Sequence, residues 1–333
     1  MAVAKKMLQF VENASWIRKM FEEGARLRKI HGEENVFDFS LGNPNVPPPE
    51  LVKARLLELV ERDIPGKHAY MPNAGLPETR AAVSAYLSKE QGVTLGADHV
   101  VATCGAAGAL NIVLKALLDP GDELLVPAPY FVEYGFYADN HGGVLKTVPT
   151  NEDFTLNLDA IEHAIGERTK IVLINSPNNP TGQIYSEPAL RELGDILGRK
   201  GLQYGQAIYL VSDEPYRKIV YDNCKVPSIF QYYANSLIAT SYSKDLSIPG
   251  ERIGFVAVHP EADQLKELMG TLALANRILG FVNAPGLMQR LVVSLQGICV
   301  DVDEYRRKRD RMISGLKGVG YDLVTPAGAF YLF

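Results

Sequence analysis

Lys244 sits among small hydroxylated residues in Ser241-Tyr242-Ser243-Lys244, and Arg252 follows in Gly250-Glu251-Arg252-Ile253-Gly254. The lysine comes a few residues after an apolar run, Leu237-Ile238-Ala239, that reads as a buried strand. An amine at the mouth of a buried strand loses solvation, which lowers its pKa and frees it as a nucleophile. Such an amine condenses with an aldehyde to form a Schiff base. Arg252 and the Ser241 hydroxyl suit an anionic group on that aldehyde, because guanidinium pairs bidentately with phosphate. The ordinary alternative is a surface lysine.

Four further strand ends carry polar residues of the same use. The run 99–103 leads into Cys104-Gly105-Ala106-Ala107-Gly108 and a helix. Small residues there let backbone N–H groups approach a phosphate at the positive end of the helix dipole. The spacing is not Gly-x-Gly-x-x-Gly, so no dinucleotide site is implied. Tyr130 closes Pro127-Ala128-Pro129-Tyr130 and presents a flat ring for stacking. Asn175 to Gly182 holds three amides between prolines and a glycine. Asp213, after Leu210-Val211, should be buried, and a buried carboxylate needs a cationic partner. Singly, these are also a tight turn, core packing, Asx caps and an internal salt bridge. Together they form a phosphate cradle, a stacking ring, an amide, a carboxylate, an imine-forming lysine and a phosphate-binding arginine. That inventory fits pyridoxal 5′-phosphate (PLP), whose ring nitrogen takes an acidic partner.

The elements that must position these residues alternate along the chain. Short apolar runs at 99–103, 122–127, 170–175, 207–212, 236–240 and 253–258 are separated in many places by helical patterns, at 106–118, 156–166 and 186–200. This alternation predicts an α/β fold with a mostly parallel central sheet flanked by helices. In such sheets ligands bind beyond the carboxyl ends of the strands, where the polar residues lie. Helices are predicted over 14–31, with Ile17, Met20, Phe21 and Leu27 on one side, and over 50–62 and 77–91, the last with Pro77 in its first turn. The proline-rich stretch Gly42 to Pro49 reads as a linker. The tail over 261–317 is mostly helical, and 321–324 and 328–333 read as strands.

Composition narrows the function class. At 333 residues there is room for about two domains. A net charge of −5 offers no electrostatic case for nucleic acid or an anionic membrane. The basic run 306–311 is flanked by acids and reads as a solvated helix face. Three isolated cysteines and six scattered histidines show no metal-ligand spacing, and no metal is expected. No apolar run approaches the ~18 residues of a membrane span. The expected compartment is the cytoplasm.

The chain resembles the class I/II aminotransferases, PLP-dependent enzymes of fold type I. The resemblance runs from the N-terminal helix to the last residue. It rests on Ser241-x-Ser-Lys244 with Arg252-Ile-Gly254, on Asn175-x-Pro-x-Asn179-Pro-Thr-Gly182 and on Asp213-x-x-Tyr216. It implies a transaminase that moves an amino group between an amino acid and a 2-oxo acid by ping-pong half-reactions, with an aspartate-type donor. Lys244 would be the Schiff-base lysine and proton shuttle, and Asp213 would hold the protonated pyridine nitrogen. Asn179 and Tyr216 would bond the cofactor's phenolic oxygen, and Tyr130 would stack on its ring. Gly105, Ala106, Ser241 and Arg252 would bind the phosphate, with Ala107 and Ser243 also against the cofactor. Tyr70 resembles the tyrosine that reaches the neighbouring subunit's phosphate, so a homodimer is implied. Gly42 and Asn179 would touch substrate, and Arg277 resembles an arginine that reads a substrate's side-chain carboxylate.

The implied organisation is a large PLP-binding domain, 46–280, and a smaller α/β domain from 1–45 plus 281–333. Family members carry several tens of residues beyond Gly328-Ala329-Phe330-Tyr331, including an arginine for the substrate α-carboxylate. The chain is therefore expected to be incomplete at its C-terminus, since an apolar strand at 330–333 would leave an unpaired edge. Two other activities share these residues: a β-eliminating C–S lyase of the same fold, and a non-catalytic PLP-binding regulator.

Overall fold

The structure, a computed structural model, describes residues 2–13, 15–39 and 42–333. These fall into two compact units, 1–43 and 44–333. The first holds α1 (Lys5–Asn13) and α2 (Ser15–His31). The side chains of Ile17 and Phe21, placed by the sequence on the apolar side of the second helix, lie outside the described residues.

The second unit begins with α3 (Glu50–Glu61) and α4 (Pro77–Gln91). Pro77 occupies the first turn of α4, where its missing N–H costs nothing, and Gly92 ends the helix in the left-handed conformation. Then come β1 (Val100–Thr103), α5 (Gly105–Leu117), β2 (Glu123–Ala128), α6 (Glu133–Asn140), β3 (Val144–Pro149), α7 (Leu158–Ala164), β4 (Thr169–Asn175), α8 (Glu187–Tyr204), β5 (Tyr209–Asp213), β6 (Ser236–Ser241) and β7 (Gly254–Val258). The chain continues through α9 (Leu265–Ile278), α10 (Gly286–Val293) and α11 (Val302–Gly318).

The strands form one seven-stranded sheet in the order β1-β7-β6-β5-β4-β2-β3. β7 is antiparallel to both neighbours, and the other pairings are parallel. The expected mostly parallel sheet is thus present. Alternate side chains feed two cores. Leu124, Val126, Leu173, Val211 and Val256 join α5 and α9 on one face. Leu125, Val172, Ile174, Leu210 and Ile238 join α4, α8 and α10 on the other. Strands covered on both faces read as continuous apolar runs, which is why most were visible in the sequence. Each fully buried leucine or isoleucine in these layers contributes about 1.5–3 kcal/mol.

Four stretches of the second unit differ from the sequence-based expectation. β3 lies at the sheet edge with only Val148 buried, so it carries no apolar run to announce it. The short α6 likewise went unpredicted. Conversely, 321–324 and 328–333 are not strands. Near 328 pairing stops at one isolated antiparallel bridge, Gly328 with Val220: Tyr221 N donates to the Ala327 carbonyl and Ala329 N to that of Ile219, while Ala327 and Gly328 donate to the Gly182 carbonyl.

Candidate active site

Register brings the strand ends into one row. Asn175 stands opposite Asp213, and Asp213 opposite Ala239. Gly254 stands opposite both Ser241 and Thr103. A side chain at Gly254 would strike the Thr240 carbonyl and the Gly105 backbone, with a Cβ 2.3 Å and 2.8 Å away. Glycine there lets the first turn of α5 close against the sheet.

Gly105 opens α5 with φ +72°, a conformation that favours glycine. Its missing Cβ would lie 3.0 Å from Arg252 Nη2, so the guanidinium is held over the helix N-terminus. Arg252 itself has φ +50°, uncommon for a residue with a side chain, and donates Nη1 to the Pro249 carbonyl at 3.0 Å. Helix N–H groups and a guanidinium on one spot make an anion site. Ala106 and Ala107 continue that first turn; Ser241, the last residue of β6, and Ser243, in the turn after it, are both buried.

Asp213 is buried at the end of β5. Tyr134, itself fully buried, donates its hydroxyl to Asp213 Oδ2 at 2.7 Å. The other oxygen, Oδ1, is buried without a partner. Burial pushes the Asp213 carboxyl up to about 7; the Tyr134 bond pulls it down and Glu214 adds to the rise. No ion pair to Asp213 exists among the described residues, so the salt-bridge alternative does not apply. Its backbone is tied to the amide loop. Asn175 Nδ2 donates to the Asp213 carbonyl at 2.7 Å, and Asn179 N donates to Asn175 Oδ1 at 2.5 Å.

Lys244 Nζ lies 5.7 Å from the ring centre of Tyr216 and 5.3 Å from that of Phe330. Burial, and then the nearby Arg252 cation, lower its pKa to about 8. Tyr216 is buried, with its hydroxyl bonded to that of Tyr331, and burial raises its pKa well above the usual phenol value. Tyr130 is half-buried, its ring nearly parallel to that of Tyr134 at 6.5 Å between centres.

Lys244, Arg252, Gly105, Asp213, Tyr216 and the Asn175–Asn179 loop therefore meet at one end of the sheet. Of the other expected residues, Tyr70 is 92 % exposed and Arg277 is exposed in the last turn of α9, while Gly42 belongs to the first unit. Sequence reasoning missed Tyr134, Tyr331 and Phe330. Tyr134 follows Tyr130 by four residues, and that spacing was its one local signal.

The model for aminotransferase class I and II matches residues 34–333. A probable aspartate aminotransferase of Methanocaldococcus jannaschii is 32% identical over 302 residues, 89% of this chain and 77% of that protein. A probable aspartate/prephenate aminotransferase of Aquifex aeolicus is 32% identical over 307 residues, 90% of this chain and 75% of that protein. The crystal structure of an amino transferase from Eubacterium rectale superposes with a TM-score of 0.96 at 43% identity, covering 100% of this chain and 84% of that one. The chain belongs to the class I and II aminotransferase family, with the α/β architecture of PLP fold type I. It is an aminotransferase, and its family's cofactor is pyridoxal 5′-phosphate. The residues present fit that cofactor. Asp213 Oδ1 is a buried acceptor awaiting a donor, Gly105 and Arg252 form a cradle that a Cβ would fill, and Lys244 is an amine of lowered pKa. No helix among the described residues is long and apolar enough to cross a membrane.

Proposed function

We propose that Lys244 is the lysine that carries the cofactor and moves the proton during transamination. The observation that carries this reading is the place of its amine, 5.7 Å from the ring centre of Tyr216, which also neighbours Asp213, in a buried setting that with Arg252 lowers its pKa. An amine whose pKa is lowered that far is partly neutral near neutral pH, where an ordinary lysine is almost wholly charged. That neutral fraction lets Nζ accept the substrate's Cα proton. Bound PLP supplies the electron sink that makes this proton acidic.

The other residues hold and orient. Asp213 would hold the ring nitrogen through Oδ1, and Tyr130 would stack on the ring. Arg252, Ser241, Ser243 and the N–H groups of Gly105, Ala106 and Ala107 would hold the phosphate. Asn179 and Tyr216 would hold the phenolic oxygen; the Tyr216 hydroxyl can accept from Tyr331 while donating onward. Tyr70 serves the neighbouring subunit of a homodimer, for which its exposed ring is available. Sedimentation at the mass of a single chain would exclude that dimer.

The proposed substrates are an amino acid and a 2-oxo acid, with an aspartate-type donor. The relative from Methanocaldococcus jannaschii, named for aspartate, supports this donor. Gly42 and Arg277 are assigned to the substrate, Arg277 to its side-chain carboxylate. The domain division proposed is a large domain at 46–280 and a small one from 1–45 plus 281–333. The free thiols Cys104, Cys224 and Cys299 accord with a reducing compartment, the cytoplasm.

Lys244→Ala tests the reading. Transamination should fall by several orders of magnitude while the protein stays folded. Turnover within tenfold of wild type would refute the assignment.

A further inference from the structure

Asp213 and Lys244 are each followed by a buried acid, Glu214 and Asp245. Each acid is held by one of two adjacent cations in the turn after Tyr216. Glu214 Oε2 accepts from Arg217 Nη1 at 3.0 Å, and Asp245 Oδ2 accepts from Lys218 Nζ at 2.8 Å. Arg217 is anchored further by Nη2 on the Val226 carbonyl at 2.9 Å. Lys218 lies with Nζ 5.1 Å from the Tyr86 ring centre. The Asp245 carbonyl accepts from Val300 N at 2.7 Å. Both ion pairs border a cavity of about 40 Å³, on which Tyr242 and Gln296 also open.

Stability alone does not account for the Lys218–Asp245 pair. Desolvating two charges costs several kcal/mol per ion, and well-packed apolar replacements are often as stable or more so. What an ion pair adds over an apolar contact is a fixed direction and separation. Here that constraint lands on the residue beside Lys244 and ties it to the loop that carries Tyr216.

We propose that Lys218 and Asp245 are positioning residues for Lys244: their buried pair fixes the turn after β6 so that Nζ is presented to the cofactor, while Arg217–Glu214 fixes the loop that carries Lys218. This rests on the reading of Lys244 as the cofactor-bearing lysine. A misplacement near 1 Å at a reacting group costs up to about 100-fold.

The test uses the double variant Lys218→Met/Asp245→Leu, which removes the pair without leaving a lone buried charge. Borohydride reduction of the PLP-loaded wild type followed by peptide mapping comes first. Cofactor fixed on a lysine other than Lys244 would defeat the underlying reading, and the positioning proposal with it. With the label on Lys244, two quantities are compared by absorbance: PLP affinity and the pH midpoint of the bound cofactor's spectrum. The expected result is a melting temperature close to wild type, with affinity lowered about 10- to 100-fold and a shifted midpoint. Wild-type affinity and midpoint in a folded double variant would overturn the proposal. If that variant does not fold, Lys218→Gln/Asp245→Asn decides. It keeps the shape and polarity of both side chains and leaves no buried charge, so affinity within tenfold of wild type with an unchanged midpoint overturns the proposal equally, and a loss of at least tenfold sustains it.

Discussion

Tyr134→Phe isolates the hydroxyl that supports Asp213. The ring stays and only the donor to Oδ2 goes, so packing is conserved. A hydrogen bond to a charged acceptor is worth about 1.5–3 kcal/mol, against about 0.5–1.5 kcal/mol for a neutral one. The hydroxyl therefore favours the ionised form by about 1–1.5 kcal/mol, which is about one pKa unit. Asp213, at about 7 in the cofactor-free protein, should rise to about 8 in the variant. The sign follows from linkage. A folded pKa above the unfolded value near 3.8 means that Asp213 contributes stability below pH 4, lost as pH rises through 7. Raising it further extends that loss. The stability gap between wild type and Tyr134→Phe, measured by urea unfolding of the cofactor-free proteins, should widen by about 1–1.5 kcal/mol from pH 6 to pH 9. A gap that stays constant or narrows over that range would refute this account of Asp213.

Three other outcomes are expected. Asp213→Asn should leave the cofactor-free protein more stable than wild type above pH 7, because about 4 kcal/mol of unfavourable ionisation disappears, while transamination falls by orders of magnitude; activity assays and pH-dependent melting check both halves. Gly105→Ala should weaken PLP binding by tenfold or more, since alanine resists φ +72° and its Cβ would press on Arg252 Nη2; an unchanged dissociation constant by absorbance titration would contradict the cradle. Arg277→Leu should lower kcat/KM for aspartate about tenfold or more and leave alanine nearly unaltered, with equal effects on both donors removing Arg277 from the substrate site.

Much of the site was legible because its signals are local. Lys244, Asp213, Arg252 and Gly105 each lie next to a buried strand, and a polar residue directly after an apolar run marks a strand mouth in any doubly covered sheet. Proline marked the start of α4 in the same local way. What the tertiary structure decided depends on residues far apart in the chain. Tyr134 reaches Asp213 across 79 positions, and Tyr331 reaches Tyr216 across 115. Neither partnership has a periodicity or a spacing that the sequence could display. The edge strand β3 stayed hidden because one buried residue leaves no pattern. The stretches 321–324 and 328–333 were misread because apolar, β-prone residues promise a strand, whereas a ladder needs a neighbour along its length, and pairing there stops at the single bridge of Gly328 with Val220. The sequence by itself determined which chemical groups stand at the strand ends, since that follows from local burial. Which oxygen of Asp213 is held and which is left for a ligand was decided only by packing, because a hydrogen bond exists only where the fold brings its donor within about 3 Å.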